Sequence, residues 1–323
     1  MSAAATARSL TAELTALCHR LPGMRVVVET DATGWAVLVT HDGGGLVRWG
    51  VRSPDAAGLR TALLSEGLDS LRTDLDAHRT ARPLPARTAA PVVMTPLMAA
   101  IAVHECVGHT SEADNHAAYG HRLGIGLGDR WTRVPLTVTD DPTRSGHCGS
   151  YDHDDEGVAA VPVRLVEDGR WSGLLTSRSH PGPAGSNGHG RRAPAAPGAL
   201  PRMGVLSVGP GEHRAEDLVA SVADGFLLGA PREGGSVREY ALLKPAWARR
   251  IRDGRITDEV YRDLVLRAHK VQLMRRLRGV GDRVVMNDPY HRCEKKGQEV
   301  SVSLEAPYLL FDDLLLYPDG GTP

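Results

Sequence analysis

Six consecutive residues, His104-Glu105-Cys106-Val107-Gly108-His109, constrain this chain more than any other segment. They follow an apolar, helix-forming approach from Val92 to Val103. A buried helix that ends by presenting two imidazoles around a carboxylate is suited to a hydrolytic zinc ion. Neutral ring nitrogens bind the metal, and the adjacent carboxylate takes a proton from water. The run therefore reads as the core of a metallopeptidase-type hydrolase.

The spacing sets a geometric condition. The familiar zinc-protease helix separates its histidines by four positions and so places them on one face. Here they are five apart. At roughly 100° per residue, a regular α-helix turns the second imidazole about 140° away from the first. Both reach one ion only if the helix is distorted, for instance by a single π-type turn, a feature common at functional sites. Gly108, directly before the second histidine, tolerates such distortion.

Composition narrows the function classes. The 323 residues suffice for two domains or one large one, and the formal net charge of −1 supplies no field toward nucleic acid or an anionic membrane. Aromatic residues make up only 4% of the chain, so Leu, Val and Ala must fill the core and a base-stacking platform is disfavoured. Four scattered cysteines, Cys18, Cys106, Cys148 and Cys293, point to a reduced, cytoplasmic setting rather than a disulfide framework. The first 21 residues have helical periodicity broken by Glu13 and Arg20, without the apolar core of a signal peptide. No segment has the ~20 apolar residues that span a bilayer.

Residues 1–79 read as a helix, a set of strands (24–29, 35–40 and 46–51), and a second helix from 56 to 75. The Pro-rich stretch 80–91 reads as a linker. From 92 to 323 the pattern is mainly β, with strands expected at 135–139, 161–166, 171–176, 203–208 and 300–304. A tight turn at Glu167-Asp168-Gly169-Arg170 fits a hairpin. The stretch 181–201 reads as an exposed, mobile loop, and 258–277 as a long amphipathic helix ending in a basic run. The fold expected is α+β: a small N-terminal α/β domain, then a larger domain carrying the metal-motif helix.

A catalytic zinc needs a third protein ligand. Cys106, Cys148, Cys293, His147, His153, Glu112 and Asp114 are the choices. Cys106 lies roughly 200° around the helix from His104 and reads as core. Cys293, an isolated cysteine in a polar loop before a strand, ranks first without excluding the others.

Taken together these segments resemble the TldD/PmbA family of metallopeptidases. His104 to His109, followed by Glu112 and Asp114, is similar to that family's HExxxH motif and its acidic continuation. The segments 151–157, 167–169, 190–192, 201–203, 251–257 and 293–298 resemble further ordered landmarks of the family. The resemblance implies a zinc site of His104, His109 and Cys293 with Glu105 as general base. It also implies a large, strongly curved, mostly antiparallel sheet, and a homodimer or a heterodimer with a related subunit. Short or unfolded peptides, or peptide-like natural products, are the implied substrates. A specialised small-molecule amidase of biosynthetic metabolism and a non-catalytic partner subunit are the alternatives.

Two departures from the family accompany this. Only 103 residues precede the motif, so the N-terminal domain is expected to be shortened, and the glycine-rich stretch 225–237 is altered. Arg191, Arg192 and His189 are expected to meet a substrate carboxylate or the developing oxyanion. Glu112 and Asp114 are expected to orient a metal-bound imidazole.

Overall fold

The computed structural model describes residues 80–287 and 292–319, the strands at 24–31, 34–41 and 47–53, and positions 9, 11, 12, 55–58 and 77. Met24–Asp31, Gly34–His41 and Val47–Ser53 form a three-stranded antiparallel sheet, where the sequence places its first strands. The helices expected over 1–21 and 56–75 fall largely outside the described residues.

An eight-stranded, mostly antiparallel sheet dominates the rest. Asp224–Val237 pairs in parallel with Thr88–Met94, which pairs with Leu309–Pro318. That strand pairs with Leu264–His269, which meets Tyr240–Arg252, which pairs along its length with Asp224–Val237. Five strands thus form a closed circuit of pairings, and closing such a circuit requires strong curvature. A six-stranded sheet runs in the order Val285–Asn287, Ser303–Ala306, Val205–Val208, Val138–Asp140, Val163–Glu167 and Arg170–Trp171. In its Glu167–Arg170 turn, Asp168 and Gly169 both have positive φ (46° and 76°), as the tight hairpin turn demands.

The helices include α1 (Pro96–Val103), α2 (Ala113–Tyr119), α3 (Ala215–Ala220) and α4 (Lys270–Arg275). Pro96 opens α1, where its missing N–H costs nothing. Met98 to Val103 are all buried, so the helix is apolar all round. It packs between Asp224–Val237 of the curved sheet and Ser303–Ala306 of the six-stranded one. The core is aliphatic as composition requires, with Trp131, Trp171, Phe226 and Phe311 as its large fully buried rings. No helix among the described residues is long and apolar enough to cross a membrane.

Three expectations are corrected. The stretch 258–277 is not one helix: it completes Arg255–Arg262, forms Leu264–His269, and is helical only over α4. Asp263 takes a left-handed φ of 53° and turns the chain, and Leu264 and Leu266 alternate into the core. The stretch read as a linker contributes Arg82–Pro83 and Thr88–Met94 to the curved sheet. The loop 181–201 is not wholly exposed, because His189 and Gly190 are buried within it.

Candidate metal centre

The chain leaves α1 through a five-residue π-turn, His104–Gly108, closed by the His109 N–H donating to the His104 carbonyl. This i→i+5 bond supplies the wider turn that the five-residue spacing demands. It brings the two imidazole rings edge to face, with centroids 4.6 Å apart. Gly108 serves a different purpose from the one its flexibility suggests. Its φ of −56° is ordinary, but a Cβ there would sit 2.2 Å from the Met203 sulfur, and Met203 is fully buried. Gly108→Ala should therefore destabilise the protein by about 1–3 kcal/mol, as overpacked cores do. A denaturant midpoint matching the parent would show that Met203 yields freely.

Cys293 arrives from the far end of the chain on the hairpin Arg292–Lys295/Gln298–Ser301. Its Sγ lies 3.2 Å from His109 Nε2. One donor atom from each of His104, His109 and Cys293 lies within 4.8 Å of the others, and all three residues are buried. Tetrahedral ligands at bonds of about 2.0–2.3 Å stand roughly 3.3–3.8 Å apart, so the cluster has the dimensions of a metal-binding set. Among the described residues it is the one group of three such donors. Two imidazoles and a thiolate are borderline-to-soft donors that suit zinc over magnesium or calcium. Cys106 is core instead, its thiol pushed up to about 12 by burial. Cys148 lies against Ser303 and the Val302 carbonyl.

Glu105 follows His104 in the same turn and is 5% exposed. Ser236 Oγ lies 2.8 Å from its Oε2 and donates there. The strand bearing Ser236 comes this close because Gly234 has no side chain. A Cβ there would lie 2.5 Å from Ile101 Cγ2 and 3.3 Å from Glu105 Oε1. The glycine-rich stretch singled out in the sequence is thus the strand that covers Glu105.

His109 Nδ1 donates to Glu112 Oε2 at 2.9 Å. Burial disfavours charge on His109, but Cys293 and Glu112 outweigh it and hold its pKa well above the usual value. Lys295 Nζ, 7% exposed as a residue, donates to Glu112 Oε2 (2.9 Å), Asp114 Oδ1 (2.6 Å) and the Pro201 carbonyl (3.0 Å). Burial raises the pKa of Glu112, yet Lys295, His109 and Arg202 bring it below the usual carboxylate range. Asp114 is lowered likewise, with Lys295 and Lys296 opposing burial. The fully buried Arg202 donates to the carbonyls of Cys293 and Gln298 and so fixes the cysteine hairpin. Of the two acids expected to orient an imidazole, Glu112 contacts His109, whereas Asp114 contacts Lys295 and Lys296.

Sequence reasoning missed Lys295, Arg202 and Ser236. Lys295 stands two positions after Cys293 on one strand, hence on the same face; that register was the available signal. Lys295→Met should cost about 3–5 kcal/mol at neutral pH by leaving two buried carboxylates without their cation. The carboxylates are depressed in the fold, so their contribution is complete above about pH 4 and fades as pH falls through their folded values. The gap between parent and variant, read by denaturant unfolding, should narrow in acid. An equal gap at pH 7 and pH 3 would contradict this.

The structure does not bring every expected site residue to the cluster. His189 Nε2 donates to the buried Asp140 (3.1 Å). Arg191 donates to the carbonyls of Met203 (2.6 Å) and Ser301 (2.8 Å) and lies over the Tyr151 ring. These contacts engage both side chains within the fold. Arg192 is exposed, and its backbone N–H donates to Asp155.

The family profile described as PmbA/TldA metallopeptidase C-terminal domain matches residues 87–316. A metalloprotease of Methanothermobacter thermautotrophicus is 30% identical over 304 residues, covering 92% of this chain and 65% of that protein. A metalloprotease TldD homolog of Haemophilus influenzae is 29% identical over 238 residues, covering 72% of this chain and 48% of that one. The crystal structure of TldE from Thermococcus kodakarensis superposes with a TM-score of 0.69 at 15% identity, covering 88% of this chain and 62% of that chain, and so shares the fold. The chain spans between about half and two thirds of the length of these relatives.

Proposed function

The chain belongs to the PmbA/TldD metallopeptidase family, and from that premise we propose that it is a zinc-dependent hydrolase of amide bonds in short or unfolded peptides or peptide-like natural products. The observation that carries this is the convergence of His104, His109 and Cys293 with Glu105 in the same π-turn. His104, His109 and Cys293 would hold the zinc, which when bound would supply polarisation of the scissile carbonyl and acidification of water. The chain's own groups do the rest. Glu112 fixes the His109 proton on Nδ1 and leaves the Nε2 lone pair for a metal. Ser236 holds Glu105 Oε2, which leaves Oε1 to take a proton from water and return it to the leaving amine. The thin cover of Gly234 over Glu105 and the burial of all four groups limit water around the reacting bond.

Purified zinc-loaded protein, incubated with a mixture of unstructured peptides and followed by mass spectrometry, should cleave some of them, and a chelator should stop it. Zinc-loaded protein that spares every peptide but hydrolyses small amides would move the reading to the specialised amidase. A cavity of about 70 Å³ beside His109, small for a drug-sized ligand, is the observation that favours that second reading. Assembly with a second copy or a related subunit belongs to the same proposal, and native mass measurement tests it.

A further inference from the structure

The cavity beside His109 is lined by Asn115, Tyr119, Ser236, Arg238 and Lys270 among others. Lys270 opens α4, which follows the strand Leu264–His269 directly and packs against the π-turn. It is 3% exposed, and among the described residues its ammonium has no hydrogen-bond or ion-pair partner. Buried lysines are ordinarily paired, because an isolated ammonium away from water is costly. Burial lowers the Lys270 pKa, and Cys106, Glu105, Glu112 and Glu239 pull it back up without reaching ion-pair distance. Glu239 is turned toward Arg122 instead (3.7 Å), and Glu112 toward Lys295.

Arg238 supplies a second cation at the same cavity. It sits at the turn between the strands Asp224–Val237 and Tyr240–Arg252, with a left-handed φ of 55°. Arg238 is exposed and, among the described residues, its guanidinium also has no hydrogen-bond or ion-pair partner. One buried ammonium and one guanidinium at the rim therefore flank a small cavity that touches a metal-ligating imidazole. A guanidinium presents a planar fork of donors matched to carboxylate oxygens, and an ammonium presents a compact charge.

We propose that Lys270 and Arg238 form a carboxylate-recognition subsite beside the metal centre, so that the preferred substrate carries a free carboxylate next to the amide it loses. This rests on the amide-hydrolase reading for its setting but not for its test. The carboxylate is either the C-terminus of a short peptide or an acidic side chain; the chemistry recognised is the same. A cavity this small admits that group and little more, which makes the subsite selective for chain ends or short acidic side chains. The Lys270 charge is used at the moment of binding, because the incoming anion replaces the water that burial has removed.

The test uses the zinc-loaded Glu105→Gln protein, which should bind without turning over, and titration calorimetry with three probes: Ala-Ala-Ala, its C-terminal amide, and Ala-Asp-Ala amide. Ala-Ala-Ala, Ala-Asp-Ala amide or both should bind roughly 10- to 100-fold more tightly than Ala-Ala-Ala amide, the range for a hydrogen bond to a charged group. Which of the two does so identifies the source of the carboxylate. Adding Lys270→Met should bring the preference close to unity, and Arg238→Gln, at an exposed position that leaves the core intact, should reduce it several-fold. Equal binding of all three probes would overturn the proposal. So would a preference that persists in both added variants, since the metal alone would then hold the carboxylate. Parent protein that fails to hydrolyse any amide while this discrimination stands would remove the hydrolase reading and keep the subsite. Cleavage without discrimination would do the reverse.

Discussion

Replacing Glu105 by Gln should lower kcat on any cleaved peptide by about 10²–10⁴-fold, the range general acid–base groups supply, while the zinc-to-protein ratio stays at the parent value. The amide has the shape of the carboxylate, can still accept from Ser236, and leaves His104, His109 and Cys293 untouched. What it cannot do is accept a proton. KM should change little, because the loss is felt in the transition state and not in binding. Elemental analysis and steady-state kinetics on the same preparation check both halves. Turnover at the parent rate would remove Glu105 from proton transfer; lost metal would make it a ligand or a folding determinant.

Cys293→Ser should produce the other large effect, loss of the ion itself. A serine hydroxyl stays protonated at neutral pH and is a poor ligand where a thiolate served. Zinc affinity measured by chelator competition should fall by more than about 100-fold, beyond what the loss of an outer hydrogen-bond partner typically costs. Glu112→Gln provides the internal comparison. It keeps a group beside His109 Nδ1 but removes the charge, so its effect should stay within about 10–100-fold. If Cys293→Ser retained full affinity, the third ligand would have to be sought elsewhere.

The π-turn was legible because periodicity is arithmetic: two histidines five apart cannot share a helix face unless the helix widens, and it widens at His104–Gly108. Cys293 was less so. Nothing local to an isolated cysteine near the end of the chain says that a hairpin carries it to within 3.2 Å of His109. Its polar loop ranked it first among the candidates without deciding the matter, and the order of landmarks from His104 to Leu304 strengthened that ranking. Lys270 was hidden by an error of secondary structure. Within a supposed helix over 258–277 a lysine reads as a solvated face, whereas the strand Leu264–His269 ends just before it and turns it inward at the start of α4.

The same error has a common physical source. The segment 264–269 is short, and its apolar residues fit a helix and a strand almost equally well, while the Pro and small residues of 88–91 read locally as a linker. What selects the strand is the long-range partner: Leu266 pairs with both Leu243 and Leu316, and Ala90 with Leu314. Such pairings are invisible to any window of local sequence. His189 and Arg191 illustrate the converse. Polar residues in a Gly- and Pro-rich loop look free to meet a substrate, but the buried Asp140 and two backbone carbonyls had need of them.

That two imidazoles from one distorted turn and a thiolate from a distant hairpin hold a single ion is tested most directly by X-ray absorption at the zinc edge of the purified, metal-loaded protein. The expected spectrum contains one sulfur neighbour at about 2.3 Å with the remaining nitrogen or oxygen neighbours at about 2.0–2.1 Å. The sulfur signal should vanish in Cys293→Ser reloaded with zinc. A first shell of nitrogen and oxygen alone, two sulfur neighbours, or a sulfur signal that survives the substitution would contradict the assignment.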